Sequence, residues 1–307
     1  MAANPLDILD EPRRADLPLE QARAYCLRMA QRRYENVPVA SRFVPEPLRP
    51  HILSVYAFAR AANDFTDDAR FLPRREEALR TWDEELCRAF HGEADHPIFV
   101  ALRDTIDARD LPITPFQDLM AAFRMDLTTF SYPNFGDLRR YCEFGSVPLG
   151  RLLLYIFGYR DPALHRYADE MAIGLQLANF LQDLDLDYNG HRGRLYLPLE
   201  DLSHFGVSVE DLRRQRLTPQ FQALMRFEVS RARSQFERGR PLLDLVGPDL
   251  AFELELTWQS GQAVLDKIEA VDYDIFQRRP VLNRTDRARL LAQALRRRWP
   301  RFIGRAL

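Results

Sequence analysis

The sequence predicts an all-α fold, a single helical domain with room for a central pocket between its helices. Three observations carry this expectation. From Pro18 onward the apolar residues recur at helical spacing, and no stretch shows the period of two that marks a strand. Prolines and small polar or acidic residues punctuate the periodic stretches in the manner of helix caps. No internal repeat and no low-complexity linker interrupts the 307 residues.

Taken in order, residues 1–17 read as a loosely held tail, 18–298 as the helical domain and 299–307 as a short basic tail. The first helix is expected over 19–34, followed by a proline-rich link over 36–50 containing Pro38, Pro45 and Pro47. Helices then follow over 51–68, 74–90 and 96–107. Thr114 and Pro115 open a fifth in the N-cap and N1-proline arrangement, and it ends near Ser131-Tyr132-Pro133. Two long helices are expected over 137–158 and 162–187. The segment 188–202, rich in glycine and arginine, is the one substantial loop. Helices resume near Ser208, then over 218–245, 248–271 and 286–298.

Composition narrows the function classes. With 46% hydrophobic and 29% charged residues the chain is an ordinary globular one. A net charge of −2 gives no bulk electrostatic grip on nucleic acid. The basic residues are almost all arginine, Lys267 being the only lysine, so no single arginine stands out by composition. Cys26, Cys87 and Cys142 are odd in number and form no C-x-x-C, which argues against disulfides and zinc and fits a reducing cytoplasm. No apolar run approaches the roughly 20 residues a membrane span needs. The expected location is therefore cytoplasmic, at most peripheral at the inner face of the membrane. Residues 294–305, basic with Trp299, Phe302 and Ile303 interleaved, read equally as an interfacial helix or as a solvated helix end.

The chemistry concentrates in residues 176–187, Gln-Leu-Ala-Asn-Phe-Leu-Gln-Asp-Leu-Asp-Leu-Asp. Asn179, Asp183 and Asp187 recur every four residues, so a helix stacks them on one face at roughly 6 Å per step. The surrounding positions are mostly apolar, which buries the helix and turns the polar strip toward an interior cavity. Aligned carboxylates repel, and a hard divalent ion such as Mg²⁺ relieves them while sharing its shell with a phosphate. The alternative is a solvated acidic face. A second cluster, Asn63, Asp64, Asp67 and Asp68, ends the 51–68 helix, where acids oppose the macrodipole unless a positive group is bound. Taken alone it reads as a helix end running into solvent. Together the two clusters suit a pair of helices holding several metal ions across a cleft.

These residues resemble the squalene and phytoene synthases, the head-to-head isoprenoid synthases. Gln176, Asn179, Asp183 and Asp187, followed by Gly193-Arg194-Leu195-Tyr196-Leu197-Pro198, are similar to that family's second signature. Tyr56-Ala-Phe-Ala-Arg60 entering the acidic segment resembles the first, and Tyr141-Cys142 with Pro148-Leu149-Gly150 the helix lining the prenyl channel. The segment 34–41, Tyr-Glu-Asn-Val-Pro-Val-Ala-Ser, and the tail 273–280 with Arg278 are closest to the bacterial hydroxysqualene synthases of the hopanoid pathway. Two departures stand out. Asn63 occupies a position usually held by aspartate, with Asp64 and Asp68 available to take over, and the loop after Asp187 is about two residues longer than usual.

The resemblance implies an isoprenoid-synthase-type bundle in which Asn63, Asp64, Asp67, Asp68, Asn179, Asp183 and Asp187 bind Mg²⁺. It implies that Arg60, Tyr141, Arg194 and Tyr196 act on a prenyl diphosphate held by Tyr56, Gln176, Phe144, Leu149 and Arg278. Phe58, Phe123, Phe130, Leu153 and Phe157 are further wall candidates, though any one such residue is more often simply core packing. The implied reaction takes presqualene diphosphate to hydroxysqualene, coupled to a presqualene diphosphate synthase upstream and a hydroxysqualene reductase downstream. Condensation of two prenyl diphosphates is the alternative. So is a non-catalytic assembly factor, which Asn63 favours and the complete 179/183/187 set opposes. No nicotinamide is expected, since no glycine-rich dinucleotide loop occurs. The six histidines show no metal-spaced pair, and only His191 falls near the acidic strip.

Overall fold

The computed structural model describes residues 9, 11, 13, 14, 16–32, 44–190, 193–277 and 279–303, with side chains through Arg297. Arg278, His191 and the 34–41 motif lie outside the described residues, as do the side chains of Trp299, Phe302 and Ile303. Helices follow the expected order: α1 (Leu19–Arg32), α2 (Arg49–Asp67), α3 (Arg75–Phe90), α4 (Pro97–Arg109), α5 (Thr114–Thr128), α6 (Phe135–Gly145) and α7 (Val147–Ile156). They continue as α8 (Pro162–Tyr188), α9 (Leu199–Phe205), α10 (Val209–Arg213), α11 (Pro219–Gly239), α12 (Leu242–Leu245), α13 (Pro248–Ala270) and α14 (Arg284–Ile303). Among the described residues no strand forms, and one isolated parallel bridge joins Ser131 to Leu195. The all-α expectation is met.

Caps explain the boundaries. Asp161 accepts from the Ala163 amide with Pro162 at the first helical position of α8, and Thr218 with Pro219 does the same for α11. Ser208 and Asp211 form a reciprocal capping box on α10. Two expected helices are broken. Residues 137–158 divide at Ser146, because Pro148 has no N–H to give the preceding turn and its ring crowds the carbonyl four residues back. The 218–245 helix divides at Arg240-Pro241 for the same reason. At the C-terminus α14 runs to Ile303, through the start of the expected tail.

Residues cluster into two compact units, one comprising 1–128 and 151–160, the other 129–150 and 161–307. In the first, α2 packs against α1, α3, α4 and α5 around Phe58, Phe65, Trp82, Phe99 and Phe116, all with at most 1% exposure. Trp82 stacks on Phe58 and donates its indole N–H to the Phe58 carbonyl at 3.2 Å. Arg13 and Arg14, from the expected tail, are held here: Arg13 pairs with buried Glu85, and the Arg14 amide donates to the Asp95 carbonyl.

The second unit is built on α8, which packs against α6, α11, α12 and α13. Glycines permit the closest approaches: a Cβ at Gly239 would lie 2.7 Å from the Met171 backbone nitrogen on α8. Helix α14 docks on α13 through Phe252, Leu256 and Ala294. Arg297 of α14 reaches the buried Glu255 carboxylate at 3.1 Å.

Candidate active site

The first acidic cluster closes α2. Arg60 donates to the buried Asp64 carboxylate at 2.7 Å and 3.1 Å, one helical turn away. Asn63 donates its amide N–H to Asp67 at 2.7 Å. The amide therefore orients Asp67, where a second carboxylate would repel it. Asp68 lies beyond the helix end in extended conformation and does not continue the Asp64 stripe. Its side chain instead accepts from the Arg70 amide and pairs with the Arg70 guanidinium at 2.5 Å. Tyr56 is half-buried on the same helix. Phe58, a wall candidate, is enclosed by Trp82, Phe99 and Phe116 and serves the core.

The second cluster occupies the last three turns of α8. Asn179 and Asp183 are half-buried and Asp187 is 7% exposed, so the four-residue strip runs from a partly open to a closed environment. Asp185, between them in sequence, points elsewhere: it accepts from Asn189 and from Gln215, both at 2.8 Å. Asp183 accepts from Arg279, whose Nη2 lies 3.0 Å from Oδ2 while Nε donates to Oδ1. Beside it, buried Gln182 donates to the Pro280 carbonyl, which fastens the chain just before α14 to this part of α8. Neither Gln182 nor Arg279 figured among the sequence-derived site residues. Their partners lie nearly a hundred positions away, and no local signal marks them.

The loop that follows is fixed by its backbone. The Arg194 amide donates to the Asp187 carbonyl at 2.8 Å, and the Leu195 amide to Phe130 at 2.8 Å. These bonds bury Arg194 (5% exposed) and Tyr196 (6%) next to the end of α8. Tyr196 stacks on Phe180 of α8 with ring centroids 3.9 Å apart; Tyr141 of α6 lies within 6.1 Å of both rings, and Tyr132 lies 6.0 Å from Tyr196 and 5.4 Å from Tyr141. Tyr132 is thus a third phenol of the cluster. Phe144 and Gln176 are half-buried, and Leu149 is 40% exposed at the start of α7.

Among the described residues no three histidine, cysteine, aspartate or glutamate side chains converge as a ready-made metal centre. Ligands one turn apart on a single helix offer only one side of a coordination shell. The donors present are amide and carboxylate oxygens, which suit a hard divalent cation. A guanidinium already compensates the Asp183 charge. The residues therefore fit the ion that the sequence implies.

The family model described as squalene/phytoene synthase matches residues 30–286. The chain belongs to that family. Among its relatives is a phytoene synthase of Arthrospira platensis, 31% identical over 78% of this chain and 82% of its own. Among solved structures, squalene synthase HpnC from Alicyclobacillus acidocaldarius is 42% identical, covers 84% of this chain and 97% of its own, and superposes with a TM-score of 0.79. A dehydrosqualene synthase determined with a ligand bound, 23% identical, shares the fold over 90% of this chain and 96% of its own with a TM-score of 0.83. Members of this squalene/phytoene synthase family act on prenyl diphosphates, and both acidic clusters lie inside the matched residues.

Proposed function

We propose that the protein is a Mg²⁺-dependent enzyme that ionises presqualene diphosphate and lets one water capture the cation, giving hydroxysqualene and diphosphate. The observation that carries this reading is the 42% identity to squalene synthase HpnC across 97% of that chain. The Glu35-Asn36-Val37-Pro38 stretch supports the same subfamily.

In this reading Asn179, Asp183 and Asp187 are Mg²⁺ ligands on α8, and Asn63, Asp64 and Asp67 are Mg²⁺ ligands on α2. Bound Mg²⁺ supplies Lewis-acid neutralisation of the charge developing on the diphosphate. Arg60, Arg194 and Arg278 supply N–H donors where that charge grows. The carbon–oxygen bond to the diphosphate breaks with its electron pair leaving on oxygen. The cyclopropylcarbinyl cation rearranges and one ring carbon–carbon bond opens, which moves the positive charge to an allylic carbon. One water adds to that carbon and loses a proton. Tyr141, Tyr196, Phe144 and Leu149 wall the hydrocarbon, and with Tyr56 and Gln176 they orient it and limit water to that single molecule.

A second reading, condensation of two prenyl diphosphates, is favoured by the phytoene synthase relatives at 28–31% identity. Purified protein with Mg²⁺ is offered presqualene diphosphate or farnesyl diphosphate, and products are identified by mass spectrometry. Hydroxysqualene from the former is expected. Consumption of farnesyl diphosphate alone would move the protein to the second reading, and no turnover of either would favour a binding-only member.

No described helix is long and apolar enough to cross a membrane. For a lipid-soluble product the basic stretch 294–305, with Trp299, Phe302 and Ile303 interleaved, is the candidate for a peripheral contact with an anionic surface. The reaction needs a partner enzyme that makes the cyclopropyl diphosphate and one that reduces the alcohol.

A further inference from the structure

The Asp183–Arg279 pair occupies the middle rung of the acidic strip. Arg279 approaches both carboxylate oxygens, through Nε to Oδ1 and Nη2 to Oδ2. A guanidinium fork on both oxygens takes one lone pair of each and sets a positive charge against them, which opposes the approach of a small hard cation that needs an oxygen at about 2 Å. Neighbouring contacts hold the arginine in reach: Gln182 donates to the Pro280 carbonyl, and Leu282 is 3% exposed. The guanidinium itself is 45% exposed, so it can leave Asp183 without losing a buried position.

Resting on the metal reading above, we propose that Arg279 is a built-in competitor for the cation. In the metal-free protein its guanidinium stands in for the divalent ion at Asp183, and loading the ion displaces it. The exchange keeps the strip compensated in both states. It also sets the cation affinity below what the same oxygens would give alone.

The test is Mn²⁺ titration followed by electron paramagnetic resonance, which counts free ion and needs no turnover. Wild type, Asp183→Asn and Arg279→Gln are compared, with circular dichroism checking the fold. Removing an exposed fork of this kind should tighten Mn²⁺ binding about 3–5-fold in Arg279→Gln. Equal or weaker binding in that variant, with Asp183→Asn still losing the ion, overturns the competition and leaves the metal site standing. Binding unchanged in Asp183→Asn overturns the metal reading itself. A second measurement uses the wild type alone: phenylglyoxal modification of Arg279, followed by peptide mass spectrometry, should quicken when Mg²⁺ is added. A rate that stays constant or falls contradicts the displacement.

Discussion

At the scale of the residue, the acidic strip is legible because 4-residue spacing and side-chain chemistry are both local. Asn179, Asp183 and Asp187 fall on one face of α8, while Asp185 is drawn off by Asn189 and Gln215. Asp183→Ala should lower diphosphate release by about a hundredfold or more. Circular dichroism should show the helices retained, because the carboxylate is only half-buried. Undiminished release in that variant would remove Asp183 from the site. Other residue-scale features are invisible to a linear reading. Arg231 bridges Asp201 at 2.7 Å and Glu228 at 2.8 Å, three residues brought together from α9 and α11. One guanidinium cannot neutralise two carboxylates, and burial pushes the Glu228 carboxyl up to about 8, with Asp201 adding to the rise. The folded protein therefore holds a proton that an unfolded glutamate releases near 4.5. Between those values the folded state binds more protons, so this group's contribution is full below about pH 4.5 and is lost as pH rises toward 8. Melting followed from pH 5 to 8 should show the wild type losing a few degrees relative to Glu228→Gln, which removes the titration.

At the scale of the element, most helices were readable from periodicity and caps. The two misread ones share a cause: apolar periodicity continues through Pro148 and Pro241, while proline removes the hydrogen bond that continuity needs. The loop after α8 was recognised as a loop. Its ordering by the Ser131–Leu195 bridge was not, since the pairing partner lies more than sixty residues away. Close helix contacts were equally hidden. At Gly239 an added Cβ would meet the Met171 nitrogen at 2.7 Å and the Tyr167 oxygen at 2.8 Å, both backbone atoms of α8 that cannot rotate aside. Gly239→Ala should cost about 1–3 kcal/mol by overpacking, read as a lower urea midpoint with an unchanged slope. A midpoint equal to wild type would mean that α8 and α11 are further apart than described.

At the scale of the whole molecule, chemistry of this kind makes a plain demand on conditions. Chelation with EDTA should stop turnover of presqualene diphosphate, Mg²⁺ should restore it, and NADPH should leave the product unchanged. Squalene formed only when NADPH is present would place the protein on a reductive branch instead. The sequence by itself determined the all-α class, the order of helices, the family and the two acidic clusters. Each of these is written in spacings of three or four residues, which a helix converts directly into a face. Tertiary structure alone decided that Arg279 grips Asp183, that Tyr132 joins Tyr141, Phe180 and Tyr196, that Arg297 reaches Glu255 and that Phe58 belongs to the core. Those outcomes depend on which distant segments meet, and hydrophobic burial, which drives the meeting, is non-directional and leaves no local mark of the partner.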